Sequence, residues 1–348
     1  MRWGIVGTGA IARQFAAALA RVPGARLAGV ASRSPDRAAA FAREAGAPEA
    51  ACVADAPALA ALAAVEVLYV GTPHHCHEAD ACAAIAAGKP VLVEKPLAPD
   101  AAAARRIAEA ARAAGVFAME GLWSLCQPVY REAFARIAAG EIGEVRAIAG
   151  NFAAPLAYDP ASRFWDPAQG GGALLDRGVY LAALALEVME DPRPVWASAR
   201  RAPSGVDAAT AFALEDAAGR QALLSVSLDS FGANEIVVEG TRGRCVFLEP
   251  VSNPPAYALR RAGPAGLAPP APPQGLKAAL RRHPLARRLE RGLMRGSRWR
   301  PGGLEHEIAH VEQSLAEGRG ESPLVPLGRS LQVLAILEAA AALAARPA

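Results

Sequence analysis

Glu94-Lys95-Pro96 stands at the end of the apolar run Val91-Leu92-Val93. That position is the carboxyl end of a strand, where open parallel sheets bind their ligands. A lysine held there against a sheet edge is suited to proton chemistry. Gly7-Thr8-Gly9-Ala10-Ile11-Ala12 follows the strand-like run Trp3 to Val6. A Gly-x-Gly-x-x-Ala turn lets the backbone approach a pyrophosphate, and the next helix offers its free N–H groups to the anion. Glycine patterns are weak alone, but here a strand precedes and a helix follows. Together the two motifs read as a nicotinamide-dependent redox site containing a lysine.

The end of the second strand bears on which nicotinamide cofactor fits. NAD sites usually carry an acid there for the ribose 2′-hydroxyl. This chain has Val30-Ala31-Ser32-Arg33-Ser34-Pro35-Asp36-Arg37. Arg33 and Arg37 suit a 2′-phosphate, with Ser32 as a hydrogen-bonding partner. NADP is therefore expected, and Asp36 keeps NAD open.

Oxidising an alcohol needs a group that takes the hydroxyl proton while hydride leaves the adjacent carbon. Lys95 and Tyr180 are the two candidates, and either can be the acid/base. Asp176 and Tyr180 are four residues apart, which on a helix gives them one face. Tyr180 is read as the acid/base, Lys95 as its assistant, and Asp176 as the group that orients them or the substrate. Trp123, Phe152, Phe164 and Trp165 are candidates for a substrate pocket, with core packing an equal reading. His74-His75-Cys76-His77 does not read as a metal site. Neighbours on a loop rarely converge on one ion, and nothing completes the set.

Residues 1–120 alternate strand (2–6, 26–31, 66–70, 90–93, 116–119) and helix (10–21, 35–46, 76–88, 99–114). This alternation predicts a Rossmann-type doubly wound parallel sheet. From residue 121 to 348 the expectation is an α+β substrate and oligomerisation domain. Its strands, at 144–152, 194–201, 209–214, 221–228, 234–239 and 244–248, predict a large, mostly antiparallel open sheet. Helices are expected at 172–189, 304–317 and 328–345, the last packing back on the first domain. Prolines interrupt regular structure between 250 and 303.

A chain of 348 residues is long enough for two cores, and 53% of it is apolar. The net charge of +3 is uneven: residues 277–300 carry +8, which leaves −5 on the remainder. The main body thus has no nucleic-acid footprint. The segment 276–300 is basic and amphipathic, which permits contact with an anionic membrane surface, although a solvated insertion is favoured. The five cysteines are odd in number and irregularly spaced, which fits a reducing compartment. No leader or membrane-spanning run is read, so a cytoplasmic enzyme is expected.

The motifs resemble the Gfo/Idh/MocA oxidoreductase family along nearly the whole chain. The resemblance rests on the Gly-x-Gly loop, Gly71-Thr72-Pro73-His74 with His77, and Ala87-Gly88-Lys89-Pro90 before Glu94-Lys95-Pro96. It continues through Gly170-Gly171-Gly172-Ala173-Leu174-Leu175-Asp176-Arg177-Gly178-Val179-Tyr180 and Gly318-x-Gly320-Glu321-Ser322-Pro323. Met119-Glu120-Gly121-Leu122-Trp123, Gly205-Val206-Asp207 and Tyr180 resemble the branch of dihydrodiol dehydrogenases, NADP-dependent xylose dehydrogenases and glucose-fructose oxidoreductase. The stretch 250–303 departs from the family in length and basicity.

The resemblance implies that Thr72, Pro73, His74 and His77 line the cofactor, with Glu94 near its ribose. It implies that Lys95, Asp176 and Tyr180 surround the substrate, an aldose or a cyclic trans-diol. It also implies a homodimer or higher oligomer through the second sheet. Two alternatives stand beside the dehydrogenase: internal redox cycling on bound NAD for glycoside cleavage, and a non-catalytic nucleotide-binding sensor. The retention of Lys95, Asp176 and Tyr180 argues against the sensor.

Overall fold

A computed structural model describes residues 1–261 and 303–346. The basic segment read at 276–300 lies outside the described residues. The chain opens with β1 (Arg2–Val6), α1 (Ala10–Leu19), β2 (Arg26–Ala31), α2 (Pro35–Glu44), β3 (Ala51–Val53) and α3 (Ala56–Ala60). It continues with β4 (Val67–Val70), α4 (His77–Ala86), β5 (Val91–Glu94), α5 (Ala101–Ala114) and β6 (Ala118–Gly121). These six strands form one sheet in the order β3-β2-β1-β4-β5-β6, all parallel.

All strands point the same way, so the loops after β1, β4, β5 and β6 open on one edge. Strand order reverses between β1 and β4, which is where doubly wound sheets leave a crevice. Val91, Leu92 and Val93 are wholly buried, as expected for a strand covered by helices on both faces. Side chains set the helix ends. Asp100 accepts from Ala103 N at 2.7 Å and starts α5, and Gly115 ends it with φ +62.

After β6 come α6 (Pro128–Ala138), β7 (Val145–Ala153), α7 (Val179–Ala185) and β8 (Arg193–Arg201). Then follow β9 (Asp207–Glu215), β10 (Gln221–Ser227), β11 (Ile236–Gly240), β12 (Gly243–Phe247) and β13 (Tyr257–Arg261). Among the described residues the second sheet has seven strands, in the order β13-β12-β11-β7-β10-β9-β8. Only the β7–β10 pair is parallel. Two late helices, α8 (Leu304–Ala316) and α9 (Leu327–Ala344), complete the described chain.

Several elements differ from the sequence expectation. β3, α3 and α6 had no counterpart in it. Three residues are too few for a periodic signal, and Pro57 and Pro128 read as breaks although proline suits a helix's first turn. β13 follows Pro254-Pro255 and, among the described residues, is an edge strand paired only with β12, a place where flanking prolines do no harm. The helix expected over 172–189 is a π-helical turn, Leu174–Gly178, that passes into α7.

Helix α9 is long and apolar enough to cross a membrane by length and composition. Here it is a packing element against α5 and β6 on one side and α7 and β8 on the other. Its two charges anchor it to protein: Glu338 accepts from Ala101 N at 2.7 Å, and Arg329 pairs with Glu187.

Candidate active site

Gly7 carries the chain from β1 into α1 with φ +99. A Cβ there would lie 2.8 Å from Gly71 O, so the loops after β1 and β4 touch only because Gly7 has none. Gly9 is the N-cap of α1 and no side chain caps that helix. A Cβ on Gly9 would meet nothing within 4 Å. The free N–H groups of Ala10, Ile11 and their neighbours therefore sit at an open edge, the arrangement that receives a phosphate. Thr8 is buried, and its carbonyl accepts from Arg13 Nη1 at 2.7 Å while Arg13 Nε pairs with Glu44. The loop's shape is thus fixed without a ligand.

At the end of β2, Ser32 N–H donates to Val53 O. Ser34 caps α2 by accepting from Arg37 N at 3.4 Å. Arg33 and Arg37 are exposed, and among the described residues neither enters an ion pair. The nearest acid in sequence, Asp36, is exposed in the first turn of α2.

Thr72 Oγ1 donates to Asp80 at 2.7 Å, and Pro73 leads into a 3-10 turn, His74–Cys76. The His77 ring is fully buried between Pro96 O at 2.9 Å and Thr72 O at 2.8 Å. It ties the β4 loop to the lysine loop. Burial lowers its pKa to about 4 although both carbonyls pull the other way, so the neutral ring donates to one of them. A second buried group holds the same loop: Glu120 Oε1 accepts from Leu97 N at 2.9 Å. Burial raises this carboxyl to about 7. Glu94 accepts from Tyr69 O–H at 2.8 Å, and burial raises it despite the Lys95 charge. Among the described residues, no group of three or more His, Cys, Asp or Glu could hold a metal ion.

Lys95 reaches across to the second half of the chain. Its Nζ donates to Asp176 O at 2.7 Å and Asp176 Oδ1 at 3.0 Å. Asp176 is presented by the π-helical turn, not by a regular helix face. Asp207 shapes that turn by accepting from Leu174 N at 2.7 Å, and a Cβ on Gly172 would collide with the same carboxylate. Burial pushes Asp176 upward, but Lys95 and then Arg163 outweigh it and hold the carboxyl below its ordinary value.

Tyr180, 6% exposed, stands one turn on. Its oxygen accepts from Trp123 Nε1 at 2.9 Å. Lys95 Nζ lies 5.0 Å from its ring centre, and Phe152 lies 5.6 Å away. Burial first, and Glu94 next, raise the phenol well above its ordinary value. It is therefore a neutral O–H at physiological pH.

Lys95, Asp176, Tyr180, Trp123 and Phe152 thus meet at one place, beside the edge that carries Thr72 and Glu94. Phe164 joins through Arg163, whose guanidinium stacks on its ring at 4.0 Å. Trp165 is used differently. Its indole donates to Ala157 O at 3.0 Å and its ring meets Tyr158, which folds the 154–172 loop on itself.

Sequence reasoning missed three groups here: Arg163, Arg177 and Glu120. Arg163 Nη1 is 3.2 Å from His74 Nε2, and its Nη2 is 3.6 Å from Asp176 Oδ1. Arg177 Nε is 4.0 Å from Asp176 Oδ2, and its Nη1 donates to Ser227 O. Arg163 adjoins Phe164 and Arg177 adjoins Asp176, while Glu120 and Arg177 also stand inside motifs quoted for the resemblance; these were the available signals. Charge on a loop or helix otherwise reads as solvated surface.

Two family models cover most of the chain. Residues 1–122 match the Gfo/Idh/MocA model described as an oxidoreductase family with an NAD-binding Rossmann fold. Residues 130–246 match the GFO/IDH/MocA C-terminal domain. A pig trans-1,2-dihydrobenzene-1,2-diol dehydrogenase is 32% identical, over 97% of this chain and 95% of its own. An aldose-aldose oxidoreductase from Caulobacter crescentus, complexed with glycerol, superposes with a TM-score of 0.81 at 25% identity, covering 99% and 97% of the two chains. A 3-ketoreductase from Actinomadura kijaniata, in complex with NADP and TDP-benzene, gives a TM-score of 0.79 at 26% identity, covering 98% and 97%.

Proposed function

This chain belongs to the Gfo/Idh/MocA oxidoreductase family, and from that premise we propose that it interconverts carbinol and carbonyl on a polyhydroxylated small molecule using NADP. The observation that carries this reading is the convergence of Lys95, Asp176 and Tyr180 next to the sheet edge that ends in Thr72 and Glu94. When bound, the nicotinamide cofactor takes the hydride from the carbinol carbon or returns it. The protein then handles one proton. In reduction the Tyr180 O–H gives its proton to the carbonyl oxygen. In oxidation the phenol first gives up its own proton to solvent, and the phenolate, stabilised by the Lys95 charge, then takes the hydroxyl proton. Asp176 holds Lys95 in place and orients substrate hydroxyls. Trp123 and Phe152 offer flat apolar faces to a sugar or diol ring.

The first 120 residues would hold the cofactor and the remainder the substrate. An aldose or a cyclic trans-diol fits the site and the relatives. NADP over NAD is supported by Ser32, by two exposed arginines that enter no ion pair among the described residues, and by the lack of an acid directly after β2. Replacing Arg33 and Arg37 together with Ala is expected to raise KM for NADP by about a hundredfold, with a far smaller change for NAD. Equal loss with both cofactors would remove the arginines from the phosphate site. The reaction itself is tested by following reduced cofactor formation from NADP and from NAD with a panel of aldoses and trans-diols. Tight nucleotide binding without turnover of either cofactor would favour internal redox cycling.

The second sheet supports a homodimer. Across it, Trp196, Ala213, Leu223, Ala149, Val237 and Val246 stand in one hydrogen-bonded row. Trp196 and Leu223 are 54% and 65% exposed. A contiguous apolar row on an open sheet is interface rather than ordinary surface. Leu223→Lys is expected to convert the dimer to monomer in light scattering, and an unchanged mass would count against this face. The five cysteines are unpaired, which suits the cytoplasm.

A further inference from the structure

Three guanidinium or ammonium groups surround one ionised carboxylate at this site. Lys95 takes Asp176 Oδ1 at 3.0 Å, and Arg177 lies 4.0 Å from Oδ2. Arg163 Nη2 is left at 3.6 Å from the oxygen that Lys95 already holds. Its other branch meets His74 Nε2 at 3.2 Å. Arginine can only donate, so His74 accepts there and its proton sits on Nδ1. Burial, then the neighbouring His77, lower His74 to about 3, so this partner is neutral and returns no charge. The Arg163 side chain is 38% exposed while Asp176 is 12% exposed. Its guanidinium carbon sits over the Phe164 ring, 4.0 Å from the centroid, a contact that restrains the fork. The other acid nearby, Glu94, is buried and raised by that burial.

We infer that Arg163 is a specificity residue that holds an anionic substituent, a carboxylate or a phosphate ester, on the polyol substrate. The inference rests on the reaction proposed above and deepens it. A preorganised guanidinium with unmatched charge beside the reacting carbon pairs with either anion through two parallel hydrogen bonds. A neutral aldose leaves that charge unanswered.

The test uses the full-length protein with NADP and matched pairs: an aldose against its uronate, and the same aldose against its phosphate ester. Wild type is expected to favour at least one anionic member in kcat/KM by about tenfold or more. A gain confined to the uronate assigns a carboxylate, and one confined to the phosphate ester assigns a phosphate. In Arg163→Met the anionic-to-neutral ratio is expected to fall by about ten- to a hundredfold, mostly through KM. Arg163→Lys, which keeps charge without the fork, is expected to recover part of the ratio. If Arg163 serves only to brace Asp176 and the 154–172 loop, the variants slow both members alike and the ratio stays at the wild-type value. That result overturns the inference, as does wild type turning over neutral polyols with no preference. Absence of turnover with any polyol and either cofactor overturns the proposed reaction and this inference with it.

Discussion

Replacing Lys95 with Met is expected to lower kcat by about a thousandfold or more, with NADP affinity held within a few fold. Among the described residues the ammonium makes two hydrogen bonds, at 2.7 and 3.0 Å, and both go to Asp176. None goes to the glycine loop, to Ser32 or to the arginines after β2, so cofactor binding should survive. On the proposed roles, what is lost is the cation that would steady charge on Tyr180, whose ring centre lies 5.0 Å away. Turnover of Lys95→Met within tenfold of wild type would remove lysine from the chemistry.

The same variant carries a pH signature. In wild type, Lys95 and then Arg163 overcome the burial that would raise Asp176. A carboxyl held below its unfolded value contributes stability above that unfolded value, and the contribution is lost as pH falls. Without Lys95, burial dominates, because Arg163 is 3.6 Å away and also serves His74. The carboxyl should then rise and protonate at higher pH. Breaking a buried pair of this kind costs about 3 kcal/mol. Thermal melts between about pH 4 and 7 should show Lys95→Met less stable than wild type near neutrality, with the gap closing on acidification. A constant gap would mean that the pair carries no net stabilisation linked to this proton.

Tyr180→Phe is expected to cost about 100- to 10,000-fold in kcat while leaving the ring's packing on Phe152 intact. The variant removes one oxygen and therefore one acceptor. Trp123 Nε1, which donates to that oxygen at 2.9 Å, is left unpaired, at about 1–3 kcal/mol. Burial and Glu94 hold the phenol well above its ordinary value. Carbonyl reduction by wild type should therefore be level through neutral pH and fall only in alkali, as the proton is lost. Tyr180→Phe should show a slow rate with no alkaline limb. Trp123→Phe provides the control, since it keeps the phenol but removes a donor that lowers its pKa. Its alkaline limb should move further up. If Tyr180→Phe retains both the rate and the limb, the proton passes through another group.

Much of the parallel sheet was legible because its signals are local. Val91-Leu92-Val93 is apolar at every position, as a strand covered on both faces must be. Asp100 and Gly115 mark the ends of α5 through contacts within three or four residues. The loop at Gly7 is legible for the same reason, since a strand, a glycine turn and a helix start are neighbours in sequence. The second sheet was less complete. β13 was hidden by the prolines before it, and only its pairing with β12 shows that residues 257–261 extend regularly.

What the sequence by itself determined is where each chemical group stands along the chain: a lysine just past β5, an unacidic turn after β2, and an aspartate and tyrosine four residues apart. Only the tertiary structure decided which of them meet. Lys95 and Asp176 are separated by 81 residues, and the π-helical turn that aims the carboxylate is shaped by Asp207 from another strand. Arg163 reads as a loop charge until Trp165 folds its loop inward and brings the guanidinium against His74 and Asp176. Glu120 reads as one more strand-end acid until packing buries it against Leu97 N. Spacing encodes contacts within a turn or a strand. Contacts between distant segments are set by how two sheets and their covering helices bury apolar surface together, and a short motif carries no record of that.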